Sequence, residues 1–455
     1  MAIQSKNPVT EEVLKTFNEI SDEELEKKLA KADEVFKVWK NTTFPERSNL
    51  LKKMADYLWE HSLELGRLAS IEMGKTILAG KLEIEKCATC CEYYADNAEK
   101  ILLNEKVEGN GSENYVEFDP LGVVLAVMPW NFPFWQVYRF IAPAVMAGNV
   151  GLLKHASNVP QCAEAVERSF LEVGFPSGIF QNLFVNSSRI ESIIRDKRVV
   201  AVTLTGSEKA GASVASIAGS EIKKTVLELG GSDPFIVLAD ADLALAAEIA
   251  AKTRMQNNAG QSCIAAKRFI VHRDIADGFS KLFVEEFKKL KVGNPLLSDT
   301  DVGPLANEQG LRDIERQVNK SVALGAKVLF GGKRFGAKGY FYEPTVLSQV
   351  KKGMPVYDEE VFGPVAPIIV FSNEEEMLRI ANDTPYGLSS TIFGQDLEKI
   401  KKIIPKIEAG SVFINGQVFS DSRAPFGGIK RSGYGRELSN YGIKEFVNIK
   451  NIWIK

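Results

Sequence analysis

The sequence predicts an α/β fold with two α/β units, and three observations support this fold class. Between residues 151 and 228, short apolar strands alternate with amphipathic helices, which is typical of a parallel sheet with helices on both faces. A second alternating series extends from Pro234 to about Ile414. The C-terminal stretch EFVNIKNIWIK alternates apolar and polar residues, as an exposed strand does.

Long amphipathic helices are predicted before the first alternating series. Residues 21–24 (SDEE) form a capping-box pattern, which opens a helix that extends to about Lys40. Further helices are predicted at about 46–73 and 82–100. These charged, periodic segments are expected to form an outer layer without chemistry.

The first α/β unit is expected to begin in the β-rich run YVEFDPLGVVLAV, where Pro120-Leu121-Gly122 indicates a hairpin or a strand that crosses between domains. Its strands are predicted at 151–154, 179–185, 199–204 and 223–228, and its helices at 161–173, 188–195 and 207–218. Strands of the second unit are predicted at 268–271, 327–330, 367–371, 389–393 and 411–414. The C-terminal strand is expected to lack a partner in its own chain and to pair with a neighbouring subunit.

Composition limits the classes of partner. The chain has 455 residues, 45% of them hydrophobic, and a net charge of -3 without a basic block, so small molecules are expected as ligands and neither nucleic acid nor membrane. No apolar run approaches about 18 residues, and no signal peptide is recognised, so a cytoplasmic protein is expected. The five cysteines do not suggest a disulfide framework, and the three dispersed histidines suggest neither a metal site nor a Ser-His-Asp triad.

Cys263 is the candidate nucleophile. It lies in NNAGQSCIA at 257–265, where Gly260 and Gln261 provide a flexible, polar approach. A nucleophilic cysteine needs such a polarising setting, because a free thiol has a pKa of about 8.5. From this segment alone, a nucleophile and a small buried apolar cysteine remain equally compatible with the sequence.

Three other segments carry candidate chemistry. TGSEKAG at 205–211 follows a strand and opens a helix, so it can hold a phosphate on backbone N–H groups, although a turn glycine explains it equally well. In PWNFP at 129–133, Asn131 is either a donor to an oxyanion or an Asx-turn residue. In ELGG at 228–231, Glu228 is either a base for water or a solvated strand-end glutamate.

Together with GQSC at 260 and EEVFGPV at 359, these segments closely resemble the aldehyde dehydrogenase superfamily, over nearly the whole chain. LLKHASN, RFIAPAVMAGN and ELGGSDPF are most similar to the short-form succinate semialdehyde dehydrogenases. The resemblance implies a Rossmann-type cofactor domain at 1–101 and 121–230, a catalytic α/β domain at 231–443, and a small β oligomerisation element at 102–120 and 444–455. It also implies a homodimer or homotetramer.

The resemblance implies oxidation of an aldehyde, succinate semialdehyde first among the candidates, to the acid. The Cys263 thiolate attacks the aldehyde, Asn131 and the Cys263 N–H hold the oxyanion, hydride passes to the nicotinamide, and Glu228 activates water to hydrolyse the thioester. The implied cofactor residues are Pro129, Trp130, Lys154, Ser157, Gly206, Ser207, Gly211, Leu229, Glu360 and Phe362. The implied substrate residues are Arg139, Trp135, Ser262, Ser420 and Phe426, and no metal is implied.

Three positions depart from the family pattern. Ser157 stands where many NAD-dependent members have a glutamate, so NADP is expected, with NAD possible. Phe140 stands where a lysine is common, which weakens a proton relay from Glu228 through a lysine to Glu437. Asn257 stands where long succinate semialdehyde enzymes have a second arginine, which leaves Arg139 as the clearer carboxylate ligand.

Three alternatives stay open. The chain can oxidise another small aliphatic or aromatic aldehyde with NAD or NADP. It can be a CoA-acylating or phosphate-reducing relative, although such relatives generally lack the base in ELGG. It can also be an inactive structural protein on the same scaffold.

Overall fold

The computed structural model describes residues 3–255 and 258–455, and these ranges form an α/β protein with two large sheets. The strands are β1 (Ile3–Lys6), β2 (Val13–Phe17), β3 (Glu105–Lys106), β4 (Glu113–Pro120), β5 (Val123–Met128), β6 (Val150–His155), β7 (Phe180–Asn182), β8 (Val199–Thr205), β9 (Lys224–Glu228), β10 (Pro234–Val237), β11 (Arg268–His272), β12 (Lys327–Phe330), β13 (Thr345–Ser348), β14 (Val365–Phe371), β15 (Tyr386–Gly387), β16 (Ser389–Phe393), β17 (Ser411–Ile414), β18 (Ile429–Lys430), β19 (Gly433–Tyr434) and β20 (Val447–Ile454).

The helices are α1 (Asp22–Trp39), α2 (Phe44–Glu60), α3 (Ser62–Met73), α4 (Ile77–Ile101), α5 (Trp135–Met146), α6 (Pro160–Glu172), α7 (Ile190–Arg195), α8 (Glu208–Ser220), α9 (Leu243–Met255), α10 (Ala276–Lys288), α11 (Glu308–Ala323), α12 (Pro355–Asp358), α13 (Glu374–Asn382), α14 (Leu397–Ile403) and α15 (Ser439–Ile443). None of the helices described is long and apolar enough for a membrane crossing.

The first large sheet brings the candidate motifs to one edge. Its order is β19-β9-β8-β5-β6-β7, and all neighbours are parallel except β19 and β9. Val127 of β5 is in register with Leu204 of β8 and with Lys154 of β6. The segments that follow β5, β6, β8 and β9 therefore meet outside the carboxyl ends of the strands, where open α/β sheets bind their ligands.

The second large sheet has the order β12-β13-β14-β11-β10-β16-β17, and only β12 is antiparallel to its neighbour. Alternate residues point to opposite faces and so belong to separate apolar cores. Phe235 and Phe269 lie in one core, and Ile236 and Ile270 lie in the other. Burial on both faces explains why these strands are continuous apolar runs.

The C-terminal strand has a partner in its own chain, so the expectation that it lacks one is wrong. β20 pairs antiparallel with β4 from Val447 opposite Pro120 to Ile454 opposite Glu113, and β3 lies on the other side of β4. The β4 strand and the β5 strand belong to different sheets, so the break at 120–122 is a crossing and not a hairpin. One edge of β20 is still unpaired within the described chain.

The predicted N-terminal helices need two corrections. The region 46–73 contains two helices, α2 and α3, which are separated at His61. The helix predicted at 82–100 begins earlier, at Ile77, because the Thr76 hydroxyl accepts the N–H of Ala79 and caps it. This helix, α4, is not an outer layer: ten of its residues are buried, including Cys87, and it packs against α2, α3 and α5. The domain boundaries inferred above stay a prediction.

Candidate active site

A buried ion pair holds the start of α5 beneath the PWNFP turn. Glu83 of α4 accepts the backbone N–H groups of Phe134 and Trp135 through Oε1, each at 2.9 Å. Its other carboxylate oxygen pairs with Lys75, and both side chains are 1% exposed. Because the first N–H groups of a helix have no partner within the helix, a buried carboxylate here fixes the turn that carries Asn131.

The Asn131 side chain is oriented by its neighbours. Its Oδ1 accepts a hydrogen bond from Gln136 Nε2 at 3.4 Å, and its Nδ2 donates to the Gln261 carbonyl at 3.1 Å. Asn258 Nδ2 donates to the Asn131 carbonyl at 2.9 Å. The amide nitrogen of Asn131 is therefore turned towards the segment that leads to Cys263.

The segment around Cys263 has a backbone shape that only glycine tolerates well. Gly260 has φ +74°, and a Cβ there would overlap the Gly363 carbonyl oxygen. Buried Arg254 donates to the Ala266 carbonyl at 2.7 Å, to the Val361 carbonyl at 2.9 Å and to the Gly363 carbonyl. This guanidinium ties the Cys263 segment to the segment of Glu360 and Phe362. Asn257 lies outside the described residues.

The Lys267 ammonium places a positive charge against the backbone of the nucleophile, Cys263. Its Nζ donates to the carbonyls of Ser262, Cys263 and Ala265 at 2.8, 2.6 and 3.2 Å. The side chain is fully buried, and its Nζ lies 3.6 Å from Glu360 Oε1. Its charge therefore acts both on the thiol and on the carboxylate beside it.

Opposing charges surround the Cys263 thiol. Burial raises the pKa of Cys263 to about 12, while Lys267 and Arg139 oppose that rise and Glu228 adds to it. In this state the thiol is protonated near neutral pH. The nearby cations are therefore the groups that favour the reactive thiolate.

Two cavities meet at Cys263, and the first lies on the substrate side. It has a volume of about 400 Å³. All five predicted substrate residues line it: Arg139, Trp135, Ser262, Ser420 and Phe426. Aromatic and aliphatic side chains form most of the remaining wall, among them Leu82, Phe132 and Phe419. Such a wall excludes water from a reacting carbonyl group.

The second cavity, on the cofactor side, has a volume of about 270 Å³. Seven of the predicted cofactor residues line it together with Asn131: Pro129, Trp130, Gly206, Ser207, Leu229, Glu360 and Phe362. The indole of Trp130 meets the Phe362 ring edge to face, with centroids 5.8 Å apart. Ser207 caps α8, so the free N–H groups of that helix start are available to a phosphate.

The other three predicted cofactor residues do not line this cavity. Gly211 packs against the side chain of Leu229 and has no room for a Cβ. Lys154 is the penultimate residue of β6 and is half-buried, and Ser157, two residues beyond the strand, is exposed. Burial lowers the pKa of Lys154, and no charged neighbour offsets that effect. An uncompensated cation at the carboxyl end of a sheet strand fits a phosphorylated dinucleotide.

Glu228 is buried behind the cavities and lines neither of them. Neither of its carboxylate oxygens has a hydrogen-bond partner in the described chain. Burial, and then the charge of Glu437, raise the pKa of Glu228 well above its usual range. It is therefore not the solvated strand-end residue that the sequence left open.

Arg139 has a carboxylate partner within the chain. Its guanidinium pairs with Glu437, which is 6% exposed, and lies 4.7 Å from the centre of the Phe426 ring. It also donates to Gln136 Oε1 at 2.7 Å. The resemblance implies that Arg139 binds a substrate carboxylate, and this role stays a prediction.

The sequence reasoning missed two lysines of the site. Lys86 lies in the substrate-side wall on α4, a helix to which no chemistry was assigned, and Lys267 follows the nucleophile by four residues. The spacing of Leu82, Glu83 and Lys86 on one side of α4 was the available signal. It identifies a shared helix face, but it does not indicate which cavity that face lines.

The chain is similar to known proteins over its full length. The model of the aldehyde dehydrogenase family matches residues 1–452. Succinate-semialdehyde dehydrogenase (NADP(+)) 1 of Mycobacterium tuberculosis is 52% identical over 457 residues, and a probable succinate-semialdehyde dehydrogenase (NADP(+)) of Synechocystis is 52% identical over 454 residues, each with 100% of both chains covered. The crystal structure of succinic semialdehyde dehydrogenase from Streptococcus pyogenes in complex with NADP+ has a TM-score of 0.97 at 40% identity and 100% coverage of both chains.

Replacement of Lys267 tests its effect on the thiol. In Lys267→Met, loss of the cation favours the neutral thiol, so the pKa of Cys263 rises and alkylation by iodoacetamide at pH 8 slows by roughly tenfold or more. Lys267→Arg retains the charge and serves as the matched variant, and Lys252→Met removes an exposed lysine of α9 as a control. An unchanged pH profile of alkylation in a folded Lys267→Met protein contradicts the assignment.

Proposed function

The chain belongs to the aldehyde dehydrogenase family, and from this premise we propose that it oxidises succinate semialdehyde to succinate with NADP as the hydride acceptor. The observation that carries the proposal is the position of Cys263 where the two cavities meet, with the amide nitrogen of Asn131 turned towards the segment that leads to it. The relatives at 52% identity are named for this substrate and this cofactor, which supports both choices.

In the proposed reaction Cys263 Sγ forms a bond to the aldehyde carbon. The oxyanion accepts hydrogen bonds from Asn131 Nδ2 and from the Cys263 N–H, and an oxyanion donor of this kind is typically worth about 10²- to 10³-fold in rate. The residues of the cofactor-side cavity would hold NADP, whose nicotinamide would supply the hydride acceptor, and Cys263 would then carry the acyl group as a thioester. Water then cleaves the thioester, and the acid and the thiol are released.

Glu228 is the proposed base for that water. Its raised pKa makes the carboxylate a stronger proton acceptor than an exposed glutamate. No hydrogen bond holds its carboxylate oxygens in the described chain. Rotation of the Glu228 side chain towards the thioester therefore breaks no hydrogen bond. Phe140 packs against Phe446 with ring centroids 5.7 Å apart and offers no proton path. Arg139 is instead the cation beside Glu437.

If Glu228 is the base, the Glu228→Gln variant is expected to show a burst of reduced nicotinamide in its first turnover. The first turnover reduces NADP at a normal rate, and turnover then stalls at the thioester because no base activates water. Stopped-flow detection of reduced nicotinamide measures both phases. Cys263→Ala is the control, since it lacks the nucleophile and is expected to show neither burst nor turnover while it still binds NADP. Steady turnover of Glu228→Gln near the wild-type rate, without a burst, would remove Glu228 from this role.

The substrate is tested by side-by-side kcat/KM values for succinate semialdehyde, glutarate semialdehyde, butanal and benzaldehyde. A clear preference for succinate semialdehyde supports the proposal, and equal values contradict it. Reduction of NADP in the presence of aldehyde also distinguishes an active enzyme from an inactive structural protein on the same scaffold. The buried Glu228 argues against the acylating relatives, which discharge the thioester to another acceptor.

A cytoplasmic location stays a prediction.

The choice of NADP rests on Ser157 and Lys154. A glutamate at 157 would face the 2′-phosphate, and two unit charges about 4 Å apart repel by about 4 kcal/mol at an effective dielectric near 20. Serine removes that repulsion, and Lys154 supplies positive charge three residues earlier. Ser157→Glu is therefore expected to lower kcat/KM with NADP by up to about a thousandfold, while the value with NAD holds or rises. The NADP prediction is contradicted if the wild type prefers NAD, or if Ser157→Glu leaves the ratio of kcat/KM with NADP to kcat/KM with NAD unchanged.

The free edge of β20 supports a homodimer or a dimer of dimers. Ile449 and Trp453 share one face of the strand and are 61% and 53% exposed, which is unusual for such large apolar side chains. The double substitution Ile449→Lys with Trp453→Lys is expected to yield monomers in light scattering. Asn448→Lys, on the opposite face, is the control. A wild-type monomer at working concentration, or an unchanged assembly of the double variant, contradicts the interface.

A further inference from the structure

The chain that follows Asn131 is held by one buried ion pair, Lys75 with Glu83. The Lys75 ammonium lies 3.6 Å from the centre of the Phe132 ring, and Glu83 accepts the two N–H groups at the start of α5. Both side chains are 1% exposed, so water does little to screen their charges. The pair therefore contacts the chain at the residue after Asn131 and again where α5 begins.

The start of α5 explains why an ion pair stands at this place. Phe134, the N-cap residue of α5, makes no side-chain hydrogen bond to the helix, and the first N–H groups of a helix have no partner within it. A buried carboxylate accepts both groups, whereas an apolar side chain would leave them unsatisfied. The carboxylate in turn needs a buried cation, which Lys75 supplies. Loss of either charge therefore leaves the other uncompensated.

The Asn131 amide is connected to the same helix start. Gln136, in the first turn of α5, donates from Nε2 to Asn131 Oδ1 at 3.4 Å, and its backbone N–H donates to the Phe132 carbonyl at 3.1 Å. A displacement of this turn therefore moves both the amide and the group that orients it. A displacement of about 1 Å at a reacting centre can cost about 100-fold in rate.

One segment of the second α/β unit contacts both the loop of Lys75 and the approach to the nucleophile. The N–H of Ile77, two residues after Lys75, donates to the Pro295 carbonyl at 2.7 Å. The N–H of Ala306, in the same segment, donates to Gln261 Oε1 at 2.9 Å. The ion pair and the nucleophile are thus positioned against a common part of the chain.

We propose that Lys75 and Glu83 are positioning residues for the oxidation, which as an ion pair hold the Asn131 amide where the oxyanion of the thiohemiacetal develops. This inference rests on the proposed function, in which Asn131 donates to that oxyanion. The pair acts through the PWNFP turn and the first turn of α5. It therefore affects the rate of the chemical step and has little effect on the binding of NADP.

Glu72 of α3 offers a matched control. It is fully buried, and it accepts the N–H groups of Gln161 and Cys162 at 3.0 and 2.9 Å at the start of α6. The α6 helix contains none of the predicted site residues. Glu72→Gln therefore reports the effect of losing a buried helix-capping carboxylate where no oxyanion donor is attached.

The first experiment measures the pre-steady-state rate of NADPH formation at saturating NADP and succinate semialdehyde. Glu83→Gln removes the charge but keeps the size of the side chain, and we expect the first turnover to slow by about 10- to 100-fold. Glu72→Gln is expected to leave that rate nearly unchanged. The Kd of NADP is expected to be nearly unchanged in Glu83→Gln, because the pair does not line the cofactor-side cavity. Similar slowing in both variants, or none in Glu83→Gln, would overturn the proposal.

A double variant separates positioning from stability. Lys75→Met with Glu83→Gln removes both charges, so no unpaired charge is left in the core. We expect its melting temperature to return towards the wild-type value, while the first turnover stays about 10-fold or more slower, because neutral hydrogen bonds hold the helix start less firmly than charge-assisted ones. If the rate and the melting temperature recover together, the pair only supports folding and the proposal fails. This variant also decides the question if Glu83→Gln alone does not fold.

A double-mutant cycle connects the effect to Asn131. In the Asn131→Ala background the oxyanion donor is absent, so adding Glu83→Gln is expected to slow the first turnover by less than about 3-fold further. Full additivity of the two substitutions would show that the pair acts elsewhere, and would contradict the positioning role.

The outcomes separate the two levels of inference. If the wild type does not reduce NADP with the aldehyde, or Asn131→Ala leaves the first turnover unchanged, the proposed function fails, and the role of the ion pair fails with it. If Asn131→Ala is slow while Glu83→Gln and the double variant are not, only the role of Lys75 and Glu83 fails.

Discussion

Buried cations that donate to backbone carbonyls hold the site together. The segments around Cys263 and Glu360 have little regular structure, so their carbonyl groups lack the partners that a helix or sheet supplies. Arg254 and Lys267 satisfy several of these carbonyls. Arg268, also buried, donates to the carbonyls of Ser232, Ile380 and Ala381 at 2.9, 2.6 and 2.8 Å. Each of these side chains contacts two or more segments of the chain. The position of the nucleophile therefore depends on the charges of fully buried lysine and arginine side chains.

The same burial sets the chemistry of the site. A low dielectric raises the pKa of Cys263 and of Glu228, and it also strengthens the field of the cations near them. Lys267 and Arg139 favour the thiolate, Glu228 and Asp233 oppose it, and the charge of Glu437 raises the pKa of Glu228. The ion pair of Arg139 with Glu437 thus limits how much negative charge the centre contains before substrate enters.

Local signals predicted the elements well, because strands buried on both faces and capped amphipathic helices are encoded within a few residues. Ser21, Ser207 and the runs from β5 to β9 are examples. The candidate site followed from the parallel sheet, whose carboxyl ends meet at one edge, and from the family resemblance. The pairing of β20 with β4, the partner of Arg139 and the cavity that Lys86 lines were not predictable in this way. Each depends on contacts between segments far apart in the chain, and no local pattern specifies them.

The position of β19 has a consequence for the order of folding during synthesis. Gly433 and Tyr434 pair with Glu228 and Leu227, and so the strand that carries Glu228 becomes an interior strand only when the C-terminal segment arrives. The first α/β unit is synthesised long before that, at about 5–20 residues per second, and waits with an open edge. Contacts of such large sequence separation close slowly. The β19 strand therefore covers the open edge of the first large sheet last. In ribosome-bound chains that still lack β19, the edge of β9 is exposed to chaperones and to pairing with other chains.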